Sequence, residues 1–155
     1  MDERVDDELI RLLRERDGLR TVVDTRRNVS LLVVNIGWGY DLSEPYAHVS
    51  TNVSPTVEGE DYDLFHTFEV TRVRDEASGS ELYDGASDSA AAGYWLASLG
   101  LELIFAEDEH SKTWAALRFV DQSSILHPMY GGGESAAAAT LSAAKRWQVE
   151  QIGRP

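Results

Sequence analysis

Apolar residues recur at helical spacing near both ends of the chain. The segments 2–16 and 134–152 each carry one apolar stripe, so each predicts an amphipathic helix. A shorter helix is predicted over 89–98. The stripe of the first helix consists of Val5, Leu9, Leu12 and Leu13, and that of the last helix of Ala137, Leu141, Ala144 and Trp147.

Between these helices the pattern changes to short apolar runs and to alternation. Residues 29–36 are apolar on both faces, which predicts a central strand covered on two sides. The glycines around Trp38 should break this strand. Pro128 and three glycines predict an irregular connector over 123–133. Further strands are predicted at 19–24, 81–84, 101–106 and 113–121.

Residues 46–53 and 62–74 alternate between apolar and polar side chains, which predicts a hairpin of two long strands. A turn at Glu58-Gly59 sets the register, placing Val49 opposite Phe68. A slip of one residue would oppose apolar to polar side chains along the whole hairpin. The same register places His48 opposite Glu69 on the other face.

Strands joined by short turns favour antiparallel pairing, because parallel pairs need long crossovers. The pattern therefore predicts the α+β class. We expect a largely antiparallel sheet of about 5–6 strands, with the N-terminal and C-terminal helices packed on one face. A chain of 155 residues has the size of one ordinary domain, so residues 1–155 are expected to form a single domain.

The charge balance narrows the classes of partner. A net charge of −13 argues against nucleic acids and anionic membranes, which both attract basic surfaces. It favours a basic protein partner, because opposite fields speed association. The chain has no cysteine, which excludes disulfides, thiol catalysis and cysteine-ligated metals.

The start of the sequence is acidic and lacks the basic and apolar segments of a secretory signal. No apolar run approaches the roughly 20 residues that cross a bilayer. A cytoplasmic protein is therefore expected.

The predicted hairpin register gathers polar side chains on one strand face. A histidine beside a carboxylate is a usable acid–base pair, so His48 and Glu69 are weak catalytic candidates. Tyr46 and Asn52 are candidate substrate or ligand contacts. An ordinary solvated sheet face is the simpler interpretation. The face consists of Tyr46, His48, Ser50, Asn52, Thr67 and Glu69.

Other chemistry has little support in the sequence. The four histidines are scattered and show no metal-ligand spacing, so no metal site and no cofactor are predicted. The sequence contains none of the common hydrolase, phosphate-loop or metalloprotease motifs. The absence of these motifs favours a protein that is not an enzyme, although missing motifs leave this question open.

Three functional hypotheses remain. The first is a non-catalytic binding or inhibitor protein with exposed aromatic anchors. Bacterial immunity proteins, which neutralise a basic toxin, form one such class of small, acidic cytoplasmic proteins. The second is a small-ligand-binding domain or an enzyme that uses the His48–Glu69 pair. The third is a structural homodimer built through a sheet edge or the closing helix. The aromatic anchors are Trp38, Tyr40, Tyr46 and Tyr94.

Overall fold

The computed structural model describes residues 3–53, 55–122 and 124–152. It confirms the α+β class, with three helices and ten strands in three antiparallel sheets among these residues. The chain divides into two compact units, unit 1 (Met1–Gly85) and unit 2 (Ala86–Pro155). That residues 1–155 form one domain stays a prediction. The observed sheets are smaller and more numerous than the single sheet expected.

Unit 1 begins with helix α1 (Asp7–Glu15) and contains two sheets. The strand order is β2-β1-β6-β7 in the first sheet and β3-β4-β5 in the second, and a short 3-10 turn (Thr67–Glu69) links β5 to β6. The strands are β1 (Thr21–Thr25), β2 (Ser30–Val33), β3 (Ile36–Gly39), β4 (His48–Thr51), β5 (Leu64–His66), β6 (Val70–Asp75) and β7 (Glu81–Asp84).

Helix α1 packs its apolar side into the core of unit 1. Leu9 and Leu13 are buried as the apolar stripe predicts, and Ile10 is buried with them. Val5 precedes the helix and is exposed, because α1 begins at Asp7 rather than near residue 2. The core continues with residues of both sheets: Val23, Leu31, Val33, Ala47, Val49, Phe65, Val70 and Val73.

The predicted central strand over 29–36 is wrong in two respects. Strand β2 ends at Val33 and lies at the edge of its sheet. The chain then enters the second sheet, where Gly37-Trp38-Gly39 belong to β3 instead of breaking a strand. Both glycines are paired with β4; a β-carbon on Gly37 would meet no atom within 4 Å, and one on Gly39 would lie 3.1 Å from the His48 Nε2 atom.

The predicted register of the 46–74 hairpin is also wrong. Val49 faces Phe65 and His48 faces His66, three residues short of the predicted partners. The second strand is not continuous, because the 3-10 turn at Thr67–Glu69 interrupts it. Phe65 is therefore buried, whereas Leu64, which was assigned to the apolar face, is half exposed.

Unit 2 contains two helices and one three-stranded sheet of order β10-β9-β8. The predicted helix over 89–98 is confirmed, and the Asp88 side chain caps it by accepting the Ala91 N–H. Ser135 caps the last helix in the same way, through the Ala138 N–H. The elements are α2 (Ser89–Ser98), β8 (Leu101–Glu107), β9 (Thr113–Phe119), β10 (His127–Gly133) and α3 (Ala136–Glu150).

Strand β10 corrects the prediction of an irregular connector. Its glycines let the main chains of β10 and α3 approach closely. A β-carbon on Gly131 would lie 2.6 Å from the Ala139 carbonyl oxygen and from the Ala143 nitrogen. The buried side of α3 accordingly carries small residues, Ala139, Ala143 and Ala144, and of the predicted stripe only Ala144 is buried.

Two of the sequence predictions start at residues outside the described part of the chain, namely Asp2 of the first helix and Ser123 of the connector. Within residues 3–53, 55–122 and 124–152, no helix has both the length and the hydropathy needed to cross a membrane.

Candidate functional site

A shallow pocket in unit 1 combines aromatic rings with arginines. Trp38 and Tyr40 are two residues apart and project to the same side, and on α1 the charged positions recur every three or four residues. The pocket between them has a volume of about 420 Å³. We call it the α1–β3 surface, and its lining residues are Glu3, Arg4, Asp7, Ile10, Arg11, Arg14, Trp38 and Tyr40.

An arginine lies over each ring of the α1–β3 surface. The Arg4 guanidinium carbon is 3.7 Å from the centre of the Tyr40 ring, and that of Arg14 is 5.1 Å from the centre of the Trp38 ring. Both distances fall within the range of attractive cation–π contacts. Trp38 still exposes 42% of its surface, so much of this side chain is available to a partner.

The Tyr40 ring is held in place through its hydroxyl, which donates to the buried carboxylate of Asp6. Asp6 is 5% exposed and its carboxylate accepts three hydrogen bonds. The Tyr40 hydroxyl and the Ala47 N–H donate at 2.7 Å, and the Thr67 hydroxyl donates at 2.5 Å. Burial raises the pKa of the Tyr40 hydroxyl, and the neighbouring Asp6 carboxylate raises it further. Tyr40 is therefore a neutral, rigid ring at physiological pH and not an acid–base group.

The predicted His48–Glu69 pair does not form. The His48 Nδ1 atom lies 3.5 Å from the carboxylate of Asp41, and the backbone of His48 faces His66. Glu69 lies in the 3-10 turn, where it accepts the His66 N–H at 2.6 Å. The proposed acid–base pair is thus corrected, because the interruption of the second strand carries Glu69 away from the position opposite His48.

The expected polar face is largely absent for the same reason. Tyr46 is buried and packs edge-on against Phe68, with ring centres 5.7 Å apart. Asn52 is 2% exposed, and its amide bonds three backbone groups: the Val34 N–H and the carbonyls of Leu32 and Asp61. Asn52 therefore fixes the crossing of the chain between the two sheets and is not a ligand contact.

Glu69 instead belongs to a cluster with Arg26 and Arg27, which we call the Arg26 latch. Its carboxylate is nearly buried and lies 2.6 Å from the Arg27 Nε. The preceding Arg26 is also buried, and its guanidinium donates to the carbonyls of Phe68 and Gly85. These contacts hold the 3-10 turn against the end of β1, so the polar residues of this region stabilise the fold.

Among the described residues, no group of three or more histidine, aspartate or glutamate side chains could hold a metal ion. In the acidic turn between β8 and β9, Asp108 accepts from the Trp114 indole and from the N–H groups of His110 and Lys112. These donors, the indole first, lower the pKa of the Asp108 carboxyl. The carboxylate is thus engaged in closing the turn.

Unit 2 has an apolar pocket of about 380 Å³ between its helices and β8. Leu101, Leu103 and Phe105 of β8 form one wall, and small residues of α2 form the other. Thr140 of α3 also lines it, but its hydroxyl is bonded to the Ala136 carbonyl. Tyr94, the remaining aromatic candidate, lies on α2 and is half-buried.

The structure thus places Trp38 and Tyr40 together on the α1–β3 surface, whose lining contains none of the other candidates. The sequence reasoning missed Arg4, Arg14 and Asp6, which complete the α1–β3 surface. A signal for Arg14 was present, since Asp7, Arg11 and Arg14 follow the helical period beside the apolar stripe, whereas Arg4 precedes α1. Nothing in the local sequence marks Asp6 as the buried member of an acidic run.

Comparison with known proteins adds no relative to this description. No protein-family model, no curated protein and no solved structure matches the chain.

Proposed function

We propose that this protein is a non-catalytic binding protein that recognises a basic protein through the α1–β3 surface. The observation that carries the proposal is the pair of aromatic rings, Trp38 and Tyr40, each with an arginine over its face. Tryptophan, tyrosine and arginine are the residues that most often dominate the binding energy of protein interfaces. A cytoplasmic location, and an inhibitory role towards the partner, are part of the same proposal.

The scaffold favours such a role. Tyr40 is anchored through Asp6, and Trp38 belongs to a strand that is paired with β4. A partner therefore meets rings that are already held in place, which lowers the entropy lost on binding.

The charge distribution supports a basic partner. Unit 1 contains nineteen acidic and nine basic residues, whereas unit 2 contains eight and five. The α1–β3 surface itself is nearly balanced, with three arginines and two acids. The field of the rest of unit 1 would steer a basic protein towards the molecule, and the rings and arginines would then determine the fit.

The experiment is capture of partners from native lysate on the immobilised full chain, at low and at high salt. Trp38→Ala and Arg14→Ala are compared with Tyr62→Ala, a matched control because Tyr62 is an exposed aromatic residue of unit 1 away from this surface. We expect one stoichiometric partner to be retained by the wild type and the control. Trp38→Ala should weaken its binding by about 2 kcal/mol or more, and high salt should slow its association.

Two outcomes contradict the proposal. One is that no protein is retained at low salt by the wild-type chain. The other is that Trp38→Ala and Tyr62→Ala retain the same partner equally well, which would move the interface away from the α1–β3 surface.

A second candidate function is binding of a small apolar ligand, and the pocket of unit 2 favours it. Its size and its aliphatic walls fit a hydrocarbon chain or a small ring better than a charged metabolite. Titration with an apolar fluorescent dye is the direct test. We expect saturable binding that Gly93→Leu abolishes, since Gly93 lines the pocket, while Gly37→Ala in unit 1 leaves it unchanged. Dye binding unaffected by Gly93→Leu would exclude this pocket.

A further inference from the structure

The edge strands of the three sheets differ in how well they are protected. Exposed edges invite pairing with other chains, and proteins block them with short strands, proline, charged side chains or bulges, while glycine weakens a strand. Strands β2, β5 and β7 have four residues or fewer, and β3 contains two glycines. Strand β10 contains Pro128 and three glycines, and its register shifts. Strand β8 has seven residues, no glycine or proline, and a regular register with β9, and its only charged side chains are Glu102 and Glu107.

The free side of β8 has main-chain groups ready for a further strand. In an antiparallel pair, successive residues direct their N–H and C=O groups alternately towards the neighbour and away from it. Gly100 and Asp108, at either end of β8, are bonded to Val120 and Lys112 on the β9 side. The even-numbered residues between them therefore bond to β9. The odd-numbered residues direct their N–H and C=O groups outward: Leu101, Leu103, Phe105 and Glu107.

Three consecutive apolar side chains along this edge are accessible. Ile104 is 37% and Phe105 44% exposed, and Ala106 is exposed between them and Glu107. No backbone partner occupies the outer side of β8 among the residues that the structure describes. A strand that adds here gains both main-chain hydrogen bonds and apolar contact.

We propose that β8 pairs with β8 of a second copy of this chain, antiparallel, with the two-fold axis passing through Ile104. The outward-directed residues then meet each other: Leu103 pairs with Phe105 of the other copy, and Leu101 with Glu107. These pairs give about eight main-chain hydrogen bonds and join the two three-stranded sheets into one. The helices of both copies lie on the same face of the joined sheet, because residues of equal parity stay on one face.

Charge selects this register over its neighbours. With the axis through Ile104, Glu102 faces Ala106 of the other copy and Glu107 faces Leu101, so no acid opposes an acid. If the axis passed between residues 104 and 105, Glu102 would lie opposite Glu107. The outward-directed N–H and C=O groups of one copy would then also meet residues of the other copy whose groups point inward. A centre at Phe105 brings Glu102 against Asp108. Like charges in directly opposed pairs destabilise a sheet. The axis at Ile104 avoids such pairs and brings all seven residues of β8 into the pairing.

The absence of cysteine from the chain permits a direct test. In the proposed dimer the two copies of residue 104 form a non-hydrogen-bonded pair, whose α-carbons are about 4.5 Å apart. That distance lies within the range that a disulfide spans. We therefore expect Ile104→Cys in the full-length chain to form a disulfide-linked dimer on mild oxidation, and to lose this covalent link on reduction.

Ala106→Cys is the matched control, since Ala106 is exposed on the same face of the same strand. Its two copies would lie about 13 Å apart, four strand residues from each other. It should form no disulfide-linked dimer under the oxidation that links Ile104→Cys. Equal linkage of both variants, or of neither, would overturn the proposal.

Sedimentation velocity of the cysteine-free chain gives an independent readout. The wild type should shift from monomer to dimer as its concentration rises through the micromolar range. Ile104→Lys should raise the dissociation constant by roughly tenfold or more, because two lysines would oppose each other across the axis, whereas Ile104→Thr should retain the dimer. Mixing Ile104→Lys with Ile104→Glu should restore association.

Circular dichroism must show that each variant is folded before its association is compared. A wild-type chain that stays monomeric at every concentration, a dimer that Ile104→Lys leaves unchanged, or a mixture that fails to associate would each refute pairing through Ile104. The result is independent of the proposed partner, whose contacts are all in unit 1.

Discussion

The two units of this protein are stabilised in different ways. Of the ten polar or charged residues that are buried in the described part of the chain, nine belong to unit 1 and only Thr140 belongs to unit 2. Unit 1 encloses a carboxylate, Asp6, and a guanidinium, Arg26, each bonded to several partners. Unit 2 encloses alanines and glycines that let main chains touch.

This difference shows two routes from sequence to a defined packing. A buried polar network is directional, so it fixes one arrangement, but every partner left unsatisfied is costly. Close packing of small residues has few unsatisfied groups and little tolerance for added volume. Unit 1 should therefore be sensitive to the loss of polar atoms, and unit 2 to the gain of a methyl group.

The largest effect is expected from Asp6→Ala. The substitution leaves the Ala47 N–H and the Thr67 hydroxyl without their buried acceptor and removes the anchor of Tyr40. We expect the free energy of unfolding to fall by about 2–4 kcal/mol, measured by chemical denaturation. Asp61→Ala is the control, since that side chain is exposed and should change stability by less than about 0.5 kcal/mol. Equal effects of the two substitutions would mean that the network does not stabilise unit 1.

In unit 2 the corresponding substitution is Gly131→Ala. The added methyl group would meet the main chain of α3 at 2.6 Å, so either β10 or α3 must shift. We expect a loss of about 1–3 kcal/mol of stability. Gly37→Ala in unit 1 meets no atom within 4 Å and should be nearly neutral. If Gly131→Ala is as well tolerated as Gly37→Ala in thermal unfolding, close main-chain packing is not what limits unit 2.

Tyr40→Phe separates stability from recognition within unit 1. It removes the hydroxyl that donates to Asp6 but keeps the ring beneath Arg4. We expect a loss of about 1 kcal/mol in unfolding free energy, with partner capture unchanged. If Tyr40→Phe abolishes partner capture, the partner recognises the hydroxyl group rather than the ring.

The smallest effect is a pH dependence at the surface of unit 1. The Ser78 N–H, the Arg16 guanidinium and the Ser78 hydroxyl lower the pKa of Asp75 from 3.8 to about 2. Because the folded pKa is the lower one, the contribution to stability is complete above pH 3.8 and is lost as the pH falls through about 2. Carboxyl chemical shifts of Asp75 recorded against pH will give the midpoint. Arg16→Gln should move it upward, and an unshifted midpoint near 3.8 in the wild type would contradict the contact.

Local signals were enough to predict several elements of the fold. Helix α2 has the predicted bounds because Asp88 supplies a cap and Gly100 follows its end in a left-handed conformation. Strand β7 has the predicted bounds, and β8 and β9 end within one or two residues of their predicted ends. Of the aromatic residues that were expected to be exposed, Trp38 is exposed, Tyr40 and Tyr94 are half-buried, and Tyr46 is buried. Trp38 and Tyr40 both line the α1–β3 surface.

The hairpin register could not be read from the local pattern, since its polar residues are satisfied by distant partners. Thr67 and Glu69 look like members of an exposed face, yet both are buried by bonds to Asp6 and to Arg27. The glycines of β10 were misread for a related reason. A run of glycines predicts a flexible connector until the helix that packs against it is known.

The bonds of Asp6 also bear on the order in which the protein folds. Its acceptor atoms bind residues 34, 41 and 61 positions further along the chain. Contacts between such distant residues form slowly, since long loops must close before any bond is made. During synthesis the first helix emerges early but must wait for Thr67, and the Arg26 latch must wait for Gly85. The bonds of Asp6 are therefore complete only after Thr67 has been synthesised, and those of Arg26 only after Gly85, so α1 lacks its buried partners while the residues between are made.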